Sequence, residues 1–198
     1  MAWTTTALVK TYLQITTSAD DTLIGTLIDR GQKFIENYTH RLFEASGDTT
    51  KYFDAYRNVS GRTLFFDEGL ELAQNPTTVT NGDTTVLVVN TNFTMCPANT
   101  FPSYSMELLS SSSAWWTTLS NGDSQRAISV LGRWAYSTTA PNDVVAALIR
   151  LVSFLYRQRE SNADIDRPVI VQDGMVLMPG RIPADIAAML EPYRMHTP

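Results

Sequence analysis

Between residues 144 and 156 the apolar side chains recur at spacings of three and four: Val144, Val145, Leu148, Leu151, Val152, Leu155 and Tyr156. That period paints one wide apolar stripe along a helix, which must be covered by another element. Pro141 suits the first helical position, because its fixed φ is helical and its missing N–H has no partner to lose there. Asp143 follows in the first turn, where the helix dipole favours a carboxylate. A helix over 141–160 is therefore expected, with Arg150, Arg157, Arg159 and Glu160 largely outside the stripe. Just upstream, a short apolar strand beginning at Ile128 runs into Gly132, Trp134 and Tyr136, a corner where glycine permits backbone conformations that other residues resist.

Two further helices are expected near the N-terminus. The first, over 4–13, enters through Thr4 to Thr6 and takes Ala7, Leu8, Tyr12 and Leu13 as its apolar positions. The second, over 18–42, has Ser18 as N-cap with Asp20 and Asp21 in its first turn, a variant of the capping box. Leu23, Ile24, Leu27, Ile28, Gly31, Phe34, Ile35 and Tyr38 hold its stripe for about four turns. Gly31 on that stripe costs about 1 kcal/mol of helix propensity, so it marks close approach by a neighbouring element.

From about residue 50 to 131 the period becomes two. Residues 51–58, 62–66, 84–89, 104–109 and 114–119 read as strands, and Asn81-Gly82 and Asn121-Gly122 as tight turns needing positive φ. A compact antiparallel β unit between helical segments is expected. After residue 160 the texture changes again: a polar linker over 161–166, a hairpin over 168–178 around Asp173-Gly174, and a short helix over 183–190 with Ile186, Met189 and Leu190 on one side. Such a segment cannot build a core alone, so it folds back on the domain or docks on a partner, with the linker favouring the partner.

Composition excludes more than it suggests. A chain of 198 residues, 43% apolar and 18% charged, is expected to be a soluble globular protein with one good core or two small ones. Its net charge of −5 argues against a general nucleic-acid binder. One cysteine, Cys96, rules out an internal disulfide and a Cys-rich metal knuckle. Without a signal-like start or an 18-residue apolar run, a cytoplasm-like compartment is expected and no membrane partner.

Catalytic constellations are also missing. Only His40 and His196 could serve as imidazole bases, and His40 at the end of a long helix is better explained by the helix C-terminus. No Walker-type loop, HExxH or GxSxG occurs. The adjacent carboxylates Asp20 with Asp21 and Asp67 with Glu68 point apart on regular structure, and Cys96 has no neighbouring base. Trp115 and Trp116 suggest sugar stacking, yet alternate faces of a strand send one ring inward. The chain is not expected to be an enzyme, and no cofactor or metal is expected.

Three stretches together resemble the head-tail connector, or adaptor, family of tailed bacteriophages. The family's YL-x-I-x-x-x-x-DD-x-L entry is matched by Tyr12, Leu13, Ile15, Asp20, Asp21 and Leu23, and its IE-x-Y-x-x-R-x-F helix end by Ile35, Glu36, Tyr38, Arg41 and Phe43. Its later V-x-G-x-W-G-Y…P-x-D-V passage is matched by Val130, Gly132, Trp134, Tyr136, Pro141, Asp143 and Val144, with Ala135 where a glycine is common.

The resemblance implies an α+β class: a mainly helical bundle with an inserted antiparallel β unit and an extended C-terminal arm. The adaptor core would span 1–160 and the docking arm 161–198. It further implies a ring of twelve copies below the portal protein, in the neck of a virion, extending the DNA channel toward a stopper or tail protein. Assembly would occur in the host cytoplasm, and double-stranded DNA would pass without sequence-specific binding. Twelve copies at −5 each carry −60, and an acidic lumen would let the duplex slide. The candidates for contacts between copies or with the portal are Arg150, Arg157, Arg159, Arg167, Val169, Val171, Met175, Leu177, Ile186, Met189, Leu190 and Tyr193. Alternatives are another neck component, a stopper or tail-completion protein, and more remotely a β-type carbohydrate-binding module.

Overall fold

The computed structural model describes residues 2–160, 169–170, 176–177 and 182–195. The chain divides into two compact units, one of residues 41–139 and the other of residues 2–40 with 140–198.

The second unit holds the helices α1 (Thr6–Leu13), α2 (Asp21–Thr39), α3 (Asn142–Glu160) and α4 (Ala184–Leu190), the last running into a 3-10 turn at Glu191–Tyr193. The α2 stripe lies against α3, and Ile24, Ile28 and Ile35 of the one and Val144, Leu148 and Val152 of the other are buried. Gly31 is where the two helices come closest: a Cβ there would lie 2.8 Å from Leu148 Cδ1 and 3.4 Å from Val152 Cγ2. The expected close approach is therefore what the glycine serves.

Helix starts differ from the sequence reading in instructive ways. Thr5 caps α1 through its Oγ1, which accepts from the Leu8 N–H at 3.3 Å. Of α1, Val9 is buried, whereas Leu8 and Tyr12, expected on its apolar face, are more than half exposed. Eight residues make barely two turns, too short for the stripe to be decided by period alone. Ser18 does not cap α2 with its side chain; the helix begins at Asp21 after Asp20, and Ser18 offers only its carbonyl to the Asp21 N–H. Pro141 lies one residue before α3 and accepts from the Val145 N–H.

The other unit is built of β1 (Thr49–Phe53), β2 (Val59–Ser60), β3 (Thr63–Phe65), β4 (Thr78–Thr80), β5 (Val86–Leu87), β6 (Phe93–Cys96), β7 (Ser105–Leu108) and β8 (Ile128–Gly132). They form two four-stranded antiparallel sheets, ordered β1-β8-β4-β5 and β2-β3-β7-β6. Period-two alternation gives each sheet one apolar face. Phe53, Val79, Leu87, Ile128 and Val130 from the first sheet and Leu64, Phe93, Met95, Met106 and Leu108 from the second join one core, closed by Phe66, Leu72 and Trp134.

This second core overturns the expectation of a mainly helical bundle. About 32% of the described residues are helical and 20% are in strands, and the antiparallel sheets have a core of their own. The helical stripes are the more regular signal, whereas the short strands, two to five residues each, hide how much chain they organise. Residues 114–119 form no strand; they are irregular chain with Trp116 packed on the core and Trp115 outside. Gly122 has the expected positive φ of 88°, but Gly82 and Gly132 do not. At those two the constraint is space: a Cβ on Gly82 would meet the Thr117 carbonyl at 2.2 Å, and one on Gly132 would meet Leu72 Cδ2 at 2.8 Å.

Two last strands, β9 (Val169–Ile170) and β10 (Val176–Leu177), pair antiparallel, Val176 opposite Ile170 and Leu177 opposite Val169. The expected turn at Asp173-Gly174 lies outside the described residues.

Candidate functional site

In the helical unit, the motif residues prove to be ties between helices. Tyr156 donates through its hydroxyl to Asp20 Oδ2 at 2.8 Å, fastening the far end of α3 to the start of α2. Beside it, Lys10 Nζ lies 2.7 Å from Asp21 Oδ1, which fastens α1 to the same helix start. Both carboxylates sit where the α2 dipole favours negative charge, so a cap position and two long-range contacts are served at once. Nothing local announces these partners, since they lie far off in sequence.

His40 ends α2 as the left-handed cap residue, φ 56°, with its N–H donating to the Glu36 carbonyl. In the β unit, Arg41 forms an ion pair with the buried Glu71 and lies over the Tyr136 ring, 5.1 Å from its centroid. Burial pushes the Glu71 carboxyl above its ordinary value, against the pull of the Arg41 charge and hydrogen bond. Phe43, fully buried, meets the edge of the Tyr136 ring at 5.7 Å, and the Tyr136 N–H donates to the Leu42 carbonyl. Trp134 packs on Phe53 and Phe66 and donates from Nε1 to the Thr49 carbonyl at 2.9 Å. The Arg41-x-Phe43 and Trp134-x-Tyr136 motifs are thus two halves of one structural joint.

Among the described residues no group of three or more His, Cys, Asp or Glu side chains could hold a metal ion, and no helix is long and apolar enough to cross a membrane. Asp67 is occupied by Asn58, whose Nδ2 donates to it at 2.7 Å. Trp116 is spent on the core side, donating from Nε1 to the Arg62 carbonyl, while Trp115 stacks on the Arg62 guanidinium.

What the helical unit does offer is a cavity of about 230 Å³ where α1, α3 and the start of α4 meet. Tyr12, Phe154, Pro183 and Ile186 supply apolar walls; Arg150, Arg157 and Asp185 supply charge. Arg150 is ion-paired with Asp185. Arg157 is exposed, with no ion-pair or hydrogen-bond partner among the described residues.

The twelve interface candidates therefore fall into different environments. Arg150 and Arg157 meet at this cavity, and Ile186 contributes to its wall while being buried with Leu190 inside the chain. Met189 and Tyr193 are half-buried, and Tyr193 lies within 3.5 Å of Asp143. Val169 and Leu177 are paired to each other in the β9–β10 ladder. Arg167, Val171 and Met175, and the side chain of Arg159, lie outside the described residues. The helical period places Tyr12 on a buried stripe, whereas it is exposed and borders the cavity, a position no sequence signal marks.

Comparison with known proteins adds a family match over part of the chain and a fold over nearly all of it. No curated protein sequence matches the chain. A chain of the virion of a native gene transfer agent (GTA) particle is 16% identical, with a TM-score of 0.56 over 98% of this chain and 91% of that one. A chain of the neck of a native GTA particle, computed with C12 symmetry, is 13% identical, with a TM-score of 0.55 over 96% and 88%. A third, from the neck of an empty GTA particle computed with C6 symmetry, is 12% identical, with a TM-score of 0.54 over 98% and 91%. These likenesses establish a shared fold along nearly the whole chain. Over residues 5–65, which run from the α1 cap through the Asp20-Asp21 helix and the Arg41-x-Phe43 joint into β3, the chain matches the phage gp6-like head-tail connector protein family.

Proposed function

We propose that this protein is a structural neck component of a phage-like particle, a head-tail connector that forms a ring under the portal and extends the DNA channel. The observation that carries this reading is the coincidence, in one chain, of the connector-family match at residues 5–65 with a fold shared over 96% or more of the chain with chains of GTA particle necks. Those necks were computed with C6 and C12 symmetry, which supports a ring for this chain, and twelve is the copy number proposed. Ring closure requires head-to-tail contacts between two different patches of the same subunit.

In this reading the protein is no enzyme: it works by shape and charge. Twelve copies carry −60, and an acidic channel wall repels phosphates so that the duplex slides. The segment 161–198 is the portal-docking arm, in which α4 anchors the chain end on α3 and the β9–β10 hairpin does the reaching. Arg157, Arg159 and Arg167 are the proposed charged contacts with a neighbouring copy or the portal, with the hairpin positions Val169, Val171, Met175 and Leu177 as the apolar ones.

Cryo-electron microscopy of the assembled neck tests all of this together. A ring of this chain seated on the portal, with carboxylates prevailing along its channel, is the expected result. A channel lined mainly by Lys and Arg overturns the sliding mechanism. Attachment on the tail side only, without portal contact, makes it a stopper or tail-completion protein instead.

A further inference from the structure

We propose that the cavity bordered by Tyr12, Phe154 and Arg157 receives the Glu68 turn of a second copy of this chain. The proposal rests on the ring reading above and names the two patches that would meet.

The receiving side is an amphipathic hollow with one uncompensated charge. Arg150 is neutralised by Asp185, while Arg157 at the same hollow has no partner among the described residues. Tyr12, at 53% exposure, is an aromatic wall left open to water, an arrangement that costs hydration free energy until something covers it. A guanidinium beside aromatic walls favours a carboxylate carried on an apolar segment; a phosphate backbone would call for several cations and no aromatic floor.

On the inserting side, several turn carboxylates are already committed within the chain. Asp83 accepts from the Thr85 N–H, Asp123 accepts from Asn121, and Asp54 accepts from the Arg126 N–H, so each is committed to its own loop. Asp67 is held by Asn58. Glu68, next in sequence, is exposed at the tip of a turn closed by the Leu70 N–H to Asp67 carbonyl bond, and it has no partner among the described residues. Gly69 follows with φ 80° and open space around it, so the tip protrudes. Phe65, 51% exposed, accompanies it as an apolar shoulder. Carboxylate and aromatic on one side match guanidinium and aromatic walls on the other. Because the two patches differ, repetition of the contact is head-to-tail and can close a ring.

The test is disulfide trapping in assembled particles. A chain carrying both E68C and R157C, on mild oxidation, is expected to give a covalent ladder of its own copies up to the full ring. E68C alone and R157C alone, each still bearing Cys96, are expected to give none. Rings visible by electron microscopy in the doubly substituted particles but no ladder overturn the contact and leave the neck reading intact. A covalent product with the portal, or with another protein, also overturns it by assigning the cavity a different occupant. Particles of the unsubstituted protein without any ring of this chain overturn the neck reading and the contact with it. As an independent check, R157E and E68R should each cut the yield of assembled necks at least tenfold, and the two together should restore it to within about twofold. Failure of the pair to restore it in rings that still form overturns the proposed charge match.

Discussion

The helical unit and the β unit reach stability by opposite routes. The former relies on period: a stripe on α2 meets a stripe on α3, a glycine sets their closest approach, and two polar pairs, Tyr156 with Asp20 and Lys10 with Asp21, tie α3 and α1 to the start of α2. The latter relies on exceptions to period. Its strands are two to five residues long, so side chains reach across irregular chain to hold loops the ladders cannot. Arg62 alone donates to the carbonyls of Leu108, Leu109 and Ser112 and covers Trp115 with its guanidinium. Asn81 donates to the Trp115 carbonyl and accepts from the Thr117 N–H, doing the same for the next stretch. Regular elements satisfy their own backbone groups, whereas loops over a short-stranded sandwich must borrow partners from side chains.

The contrast is broken hardest at the β core. Phe53→Ala removes a ring that lies 5.4 Å from Phe66 and 5.7 Å from Trp134, at 1% exposure. A loss of about 3–5 kcal/mol is expected, read from denaturant unfolding followed through tryptophan fluorescence. A loss below about 1 kcal/mol would mean that the two sheets do not share that core. In the helical unit the corresponding blow is Gly31→Val, which forces a branched side chain into the gap before Leu148 and Val152. It should cost about 1–3 kcal/mol by overpacking. Pairing it with Leu148→Ala should recover part of the loss, whereas additive losses would deny the close contact. Smaller again is Arg62→Met, expected to cost about 1–2 kcal/mol, since carbonyls lose charged donors while some regain water. Its sharper mark is faster amide exchange over residues 109–117; unchanged exchange there would remove Arg62 as a brace.

What the sequence disclosed follows the same division. The stripe residues Ile24, Ile28, Ile35, Leu148 and Val152 are core, as their spacing requires, and Gly31 marks the close approach expected of it. Short elements misled. In α1, period alone put Leu8 and Tyr12 inward, yet both are exposed, and Tyr12 became part of the candidate cavity. Ser18 looked like a cap because capping residues are recognised locally, but the helix started after Asp20 and its acids turned to Tyr156 and Lys10. The mainly helical reading came with the resemblance and fails because the short strands enclose a core of their own, which is fixed only by long-range pairing and which alternation in single segments does not reveal. The cavity had no sequence signal beyond two arginines seven apart on α3.

The least disruptive probe of the β unit is the pH response of Glu71. Burial raises its carboxyl above the ordinary value of 4.5, with Arg41 opposing but not reversing the shift. A carboxyl whose folded value is raised binds its proton more tightly when folded. Its favourable contribution is therefore complete below the unfolded value and is lost as pH rises through the folded one. Glu71→Gln lacks this titration and keeps a hydrogen-bonding side chain beside Arg41. The stability of the unsubstituted protein relative to the variant should accordingly be greatest near pH 4 and decline toward pH 7. A relative stability that grows with pH over that range would mean that the Arg41 charge outweighs burial at this site. The joint between Arg41-x-Phe43 and Tyr136 would then be held by an ion pair that favours folding, not by one tolerated for the packing around it.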